Sequence, residues 1–139
     1  MRKVQVRRPS FPQVPFNQSL GSPPGARFNV VCGDEGHWRS GMYTPPETSA
    51  AQLEELERHD CPELFLLVKG RLTLVVADGA RTREIELHSG EPVLVTAPHS
   101  GYCPDGPGTG TAFVVERDSF ETEYQRVQEW TSGNNDAPR

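Results

Sequence analysis

The residues with the most chemistry in this sequence lie together near its middle, in Glu57-Arg58-His59-Asp60-Cys61-Pro62-Glu63. Carboxylate, imidazole and thiol are the side chains that ligate divalent metals. Successive side chains of an extended segment point to opposite faces. If the segment is extended, Glu57, His59, Cys61 and Glu63 therefore share one face, and Phe65 and Leu67 carry that face into an apolar interior. Polar ligands at one end of an apolar barrel make a metal pocket. His99 is the second element. It ends the strand expected over 93–96 and opens a loop rich in Gly and Pro, so it is expected at a barrel mouth. Tyr102 and Cys103, close to His99 in the chain, are further candidates for the pocket wall or a ligand.

At these residues the sequence resembles the cupin superfamily, and among its members a small single-domain cupin. The first cupin motif runs His-x-His-x3,4-Glu-x6-Gly. His59 falls on its second histidine, Glu63 on its glutamate and Gly70 on its glycine. Glu57 stands where the first histidine belongs, which is a departure. The second motif runs Gly-x5-Pro-x-Gly-x2-His. Gly90 starts it, and His99 stands two residues early for its histidine; Cys103 stands two residues late. An offset of two keeps strand parity, so His99 can still point inward. The resemblance covers about residues 37–116. It implies a double-stranded β-helix, a jelly-roll β-sandwich, holding one divalent metal. His59, Glu63 and His99 are its expected ligands, with Glu57 and Cys61 as additional candidates; Fe, Mn, Ni and Zn are all admissible.

The elements that must position these groups are short. Gly and Pro number 13 each, a punctuation that favours short strands and turns. Strands are expected at 27–32, stopped by Gly33, and at 37–43, 63–68, 72–76, 82–87, 93–96 and 111–116. Asp78-Gly79 signals a hairpin, and 101–110 reads as a loop. Ser49 followed by Gln52 has capping-box spacing, with Leu53 and Leu56 on one stripe, so a surface helix is expected over 49–58. A second helix is expected over 118–130, with Asp118 or Ser119 as N-cap. The domain reading is an extended Pro-rich arm over 1–26, a barrel over 27–117, and a helix with a disordered tail over 118–139. His37 reads as an outer-strand pair with Trp38, and His88 as a residue at an exposed strand end.

Composition sets the outer bounds. The 139 residues carry a net charge of −5, and the first eight hold four basic residues and no acid. The remaining body is acidic, which argues against a nucleic-acid groove. The longest apolar run, residues 64–68, is far short of the ~20 residues that cross a bilayer. No apolar stretch follows the basic start, so no secretory signal is expected. Cys32, Cys61 and Cys103 form no Cys-x-x-Cys pair. These features favour the cytoplasm.

Three functions fit this reading. The first is a small metal-dependent cupin enzyme, an oxygenase or isomerase, acting on a small polar molecule. The second is a non-enzymatic cupin that binds a small ligand. The third is a structural module. In 63–68 the odd residues are expected inside, leaving Leu64, Leu66 and Val68 outward. Such a patch needs a cover: Phe11, Val14 and Phe16 of the arm, Phe120 and Tyr124 near the end, or a second subunit. A homodimer is expected.

Overall fold

The structure is a computed structural model that describes residues 13–21 and 25–132. Ten strands and one short helix follow in order: β1 Phe28–Asp34, β2 Trp38–Tyr43, β3 Glu55–His59, β4 Glu63–Lys69, β5 Thr73–Asp78, β6 Arg81–Glu86, β7 Val93–Val95, β8 His99–Tyr102, β9 Thr111–Glu116, β10 Thr122–Arg126 and α1 Val127–Thr131. They form two five-stranded sheets, in the orders β1-β2-β9-β4-β7 and β10-β3-β8-β5-β6. Every ladder is antiparallel. None of the described helices is long and apolar enough to cross a membrane.

Period-2 patterning decides which side chains enter the space between the sheets. In β4, Phe65 is buried while Leu64 and Val68 are 38% and 50% exposed. Leu74 and Val76 of β5 meet Phe65, Tyr43, Val95, Ala112 and Val114 in one core. A second, smaller apolar layer lies on the outer face of the other sheet. There Leu56 and Val75 are buried, and α1 packs against β3 and β5. Arg58 stacks on Trp130, whose indole N–H donates to the Leu56 carbonyl at 2.9 Å.

Neither expected helix forms as read. Residues 49–58 give only a 3-10 turn at Ala50–Gln52 and then β3. Residues 118–130 give β10 and the five-residue α1. The two departures have one cause: these segments pair with each other, from Thr122↔His59 through Arg126↔Glu55. An isolated helix of ten residues is marginal in water, whereas the ladder satisfies the same backbone groups and buries Leu56. The capping box is absent too. Ser49 makes no side-chain cap, and the Gln52 side-chain Oε1 accepts the Thr48 N–H instead at 2.7 Å. Gly33 does not end the first strand, which continues to Asp34. Of the arm, residues 13–21 contain no strand or helix. Val14 there is half-buried and Phe16 is 51% exposed. Phe11, the basic tip and residues 133–139 of the tail lie outside the described residues.

The motif glycine has a structural task. Gly70, after β4, sits at φ +64°, and a Cβ there would lie 2.1 Å from the Thr109 carbonyl oxygen. Gly79, in the β5–β6 hairpin, has φ +65° but open space around it. Gly79→Ala is expected to cost only the ~1–2 kcal/mol of a left-handed L-residue. Gly70→Ala should cost clearly more, because backbone must also move. Equilibrium urea unfolding of both variants checks the order.

Candidate metal centre

β3 and β4 belong to opposite sheets, and residues 60–62 turn the chain from one to the other. His59, the last residue of β3, and Glu63, the first of β4, therefore face each other across the end of the sandwich. They are not neighbours on one strand face, as a continuous extended segment would make them. His99 opens β8, a strand of its own, where the sequence suggested the end of the preceding strand. The single registered pair between β3 and β8 is Glu57↔His99. The result is a cluster of Glu57, His59, Glu63 and His99 whose ligand atoms all lie within 4.8 Å of one another.

Glu63 is the centre of this cluster. One carboxylate oxygen lies 2.5 Å from His59 Nε2 and the other 2.8 Å from His99 Nε2. Glu57 Oε1 is 3.4 Å from His59 Nε2. The opposite ring nitrogens are anchored as well. His99 Nδ1 donates to the Ala97 carbonyl at 2.9 Å, and His59 Nδ1 lies 2.7 Å from Thr122 Oγ1. Each imidazole thus has its Nδ1 tied to the scaffold and its Nε2 aimed at the same carboxylate.

Burial and partners compete in setting the charges. Burial opposes charge on His59, but hydrogen bonds with Glu57 and Glu63 outweigh it and raise the imidazole to about 10. His99 moves the same way, burial again being overcome by its bond to Glu63. Burial would raise Glu63, yet the bonds to both histidines hold it well below the usual carboxylate range. Glu116, hydrogen-bonded to Glu63, is pushed up to about 7 by burial and by that neighbouring carboxylate, against the pull of Arg39.

The cluster forms one side of a cavity of about 240 Å³. Phe65, Val114 and Phe120 supply apolar wall, and Arg27, Arg39, Glu116 and Tyr124 also line it. Arg39 is fixed from three sides. It bonds Glu116 Oε1 through Nε at 2.8 Å and Nη2 at 2.7 Å, and its guanidinium lies over the Phe28 and Phe120 rings at 5.2 and 4.9 Å.

The remaining candidates stand apart from the cluster. Cys61 is buried in the turn between β3 and β4, and burial raises its thiol. Cys103 is buried where its thiol bonds the Pro45 carbonyl and the Gly110 N–H, each at 3.3 Å, so it pins a loop. Tyr102 shares a strand with His99 but has the opposite parity; its hydroxyl bonds Glu84 on β6, outside the cavity. Of the histidines away from the cluster, His37 is exposed in the β1–β2 turn and His88 is exposed beside Glu91. Sequence reasoning missed Arg39, Glu116, Phe120 and Thr122. One signal was present: Glu116 is a carboxylate directly after the apolar run 112–115, at the same parity as Val114.

No protein-family model and no curated protein matches the chain. Solved structures do. The iron(II) form of HppE superimposes with a TM-score of 0.52 at 15% identity, over 76% of this chain and 58% of that one. Hydroxypropylphosphonic acid epoxidase from S. wedmorenis, in complex with fosfomycin, gives 0.50 at 16%, over 66% and 50%. A cupin-2 domain containing protein from Shewanella frigidimarina NCIMB 400 gives 0.48 at 16%, over 73% and 84%. The chain thus spans half to three-fifths of the length of these two epoxidase and HppE chains.

The charge pattern of the metal-free cluster predicts a pH dependence. A raised imidazole stabilises fully below its unfolded value of ~6.5 and loses that contribution as pH climbs to about 10. Glu116 acts in the same direction, between ~4.3 and about 7. Glu63 acts oppositely: its contribution is present above ~4.3 and is lost as acid protonates it. In chelator, the urea midpoint should therefore fall steadily from about pH 5 to 10, and His59→Gln should flatten the part above ~6.5. An unchanged slope in that variant would contradict the assignment.

With two antiparallel five-stranded sheets and the epoxidase and HppE structures as neighbours, the chain has the β-sandwich fold that its cupin-like motifs imply.

Proposed function

We propose that this chain is a metal-dependent cupin that binds one divalent ion through His59, Glu63 and His99, with Glu57 as a fourth donor, and acts on a small polar molecule in the adjoining cavity. The observation that carries this reading is the aim of the two imidazoles. Both Nε2 atoms converge on one carboxylate while both Nδ1 atoms are held by the scaffold. Outer hydrogen bonds of this kind fix ring orientation and tautomer in metal sites. For His99 the carbonyl partner requires Nδ1 to carry the proton, so in the neutral ring Nε2 offers its lone pair.

Two imidazoles and two carboxylates suit Fe(II), Mn, Ni or Zn. A bound ion with open positions supplies Lewis acidity to an oxygen-bearing substrate, the chemistry of an oxygenase or isomerase. The protein's own share is to shape and dry the cavity. Phe65, Val114 and Phe120 exclude water, and Arg39, held by Glu116 and two aromatic rings, presents a fixed polar group on the wall. The cavity is small, which supports a ligand of only a few heavy atoms. Three unpaired cysteines support a reducing compartment.

Metal-free protein should take up one equivalent of Ni or Zn in calorimetry. Protons should be released, because both Nε2 atoms exchange a proton for the ion. Glu63→Gln and His99→Ala should weaken uptake by more than the roughly 10–100-fold typical of an outer partner, with the β circular dichroism retained. Wild-type protein that binds no ion would leave the cluster as a hydrogen-bonded structural group and reject the reading.

A homodimer also follows. Leu64, Val68 and Leu94 are 38%, 50% and 64% exposed on one outer sheet face, with Leu66 half-buried beside them. Such a face is favourable to cover. Light scattering at micromolar concentration should give about twice the 15.4 kDa chain mass; the monomer mass would reject it.

A further inference from the structure

We propose that Thr122 is a positioning residue for His59, and that the single hydrogen bond between them couples occupancy of the metal site to docking of the C-terminal strand. The inference rests on the metal-binding reading above and adds to it a residue and a strand outside the cupin motifs.

The backbone makes β10 more than an appendage. β3 carries both Glu57 and His59. On its inner side it has one registered pair with β8, but on its other side it has five with β10. The strand bearing half of the cluster therefore takes most of its ladder from the C-terminal segment. Thr122 pairs in register with His59 itself, and its hydroxyl lies 2.7 Å from Nδ1. Phe120, just before, meets the His59 ring edge to face at a centroid distance of 4.6 Å. Asp60 and Glu121 lock the adjoining register: the Asp60 N–H donates to the Glu121 carbonyl at 3.1 Å, and the Glu121 N–H donates to Asp60 Oδ1 at 3.2 Å.

The chemistry runs in both directions. An ion on Nε2 takes that lone pair, so Nδ1 must keep its proton and donate it to Thr122 Oγ1. Withdrawal of electron density toward the ion makes that N–H a stronger donor. If the docked strand favours the ion by some factor, the ion favours the docked strand by the same factor. The register lock at Asp60–Glu121 and the Trp130 anchor on Leu56 remain when the hydroxyl alone is removed. Thr122→Val is therefore a test of the hydrogen bond, since it keeps the β-branched shape.

Calorimetry with Ni on full-length protein is expected to show Thr122→Val about 10–100-fold weaker than wild type, and Thr122→Ser close to wild type. Hydrogen exchange should show the β10 amides slowing on addition of Ni in wild type, and slowing much less in Thr122→Val. Thr122→Ala provides the same comparison should the valine variant misfold. Equal Ni affinity in wild type and the valine variant would overturn the proposal, as would a lowered melting temperature of the metal-free variant with unchanged affinity. Wild-type protein that takes up no Ni would instead reject the metal-binding reading itself, and the two failures are distinguished by that control.

Discussion

The structure of the site depends on one carboxylate. Glu63 is buried at the end of the sandwich, its two oxygens directed to Nε2 atoms of two histidines from the opposite sheet. A buried carboxylate without partners is expensive, and removing one partner of a buried ionic group leaves the other uncompensated. This constraint explains why His59 and His99 are themselves buried and tied at Nδ1. Free to rotate, either ring would leave a negative charge in an apolar environment. The same geometry that satisfies Glu63 without an ion brings four donors to within ligand distance of one another.

Around this group the fold supplies successive layers of support. Glu116 meets Glu63 from within the same sheet and is held in turn by Arg39. Arg39 is flanked by Phe28 and Phe120, which limit its rotamers and its access to water. Thr122 approaches from the opposite sheet. These residues come from β1, β2, β9, the segment before β10, and β10, so the environment of the cluster draws on much of the chain. Preorganisation of this kind keeps a small polar site in one arrangement.

Legibility in the sequence followed the range of the interactions. The spacing of His59, Glu63 and Gly70 was readable because motif spacing reflects a turn of fixed length between two strands. The inward aim of His99 was readable from parity, which a shift of two residues leaves unchanged. Parity also assigned Phe65 inward and Leu64 and Val68 outward. By contrast, the one-face reading of Glu57, His59, Cys61 and Glu63 assumed a continuous strand. The turn at 60–62 broke it, leaving Cys61 apart from the other three.

Local features are legible in the chain: short strands between glycines and prolines, the alternation that defines a core, and the order of the candidate donor residues. Pairing at long range belongs to the folded molecule. Residues 49–58 and 118–130 each carry a helical pattern, and each becomes strand because the other is there to pair with it. Local propensity amounts to tenths of a kcal/mol per residue, and a ladder that also buries Leu56 and fixes His59 outweighs it. For the same reason Arg39, Glu116 and Thr122 were silent in the sequence. Their roles lie in partners 77, 53 and 63 positions away, and nothing in the local pattern of a chain records which distant segment will fold against it.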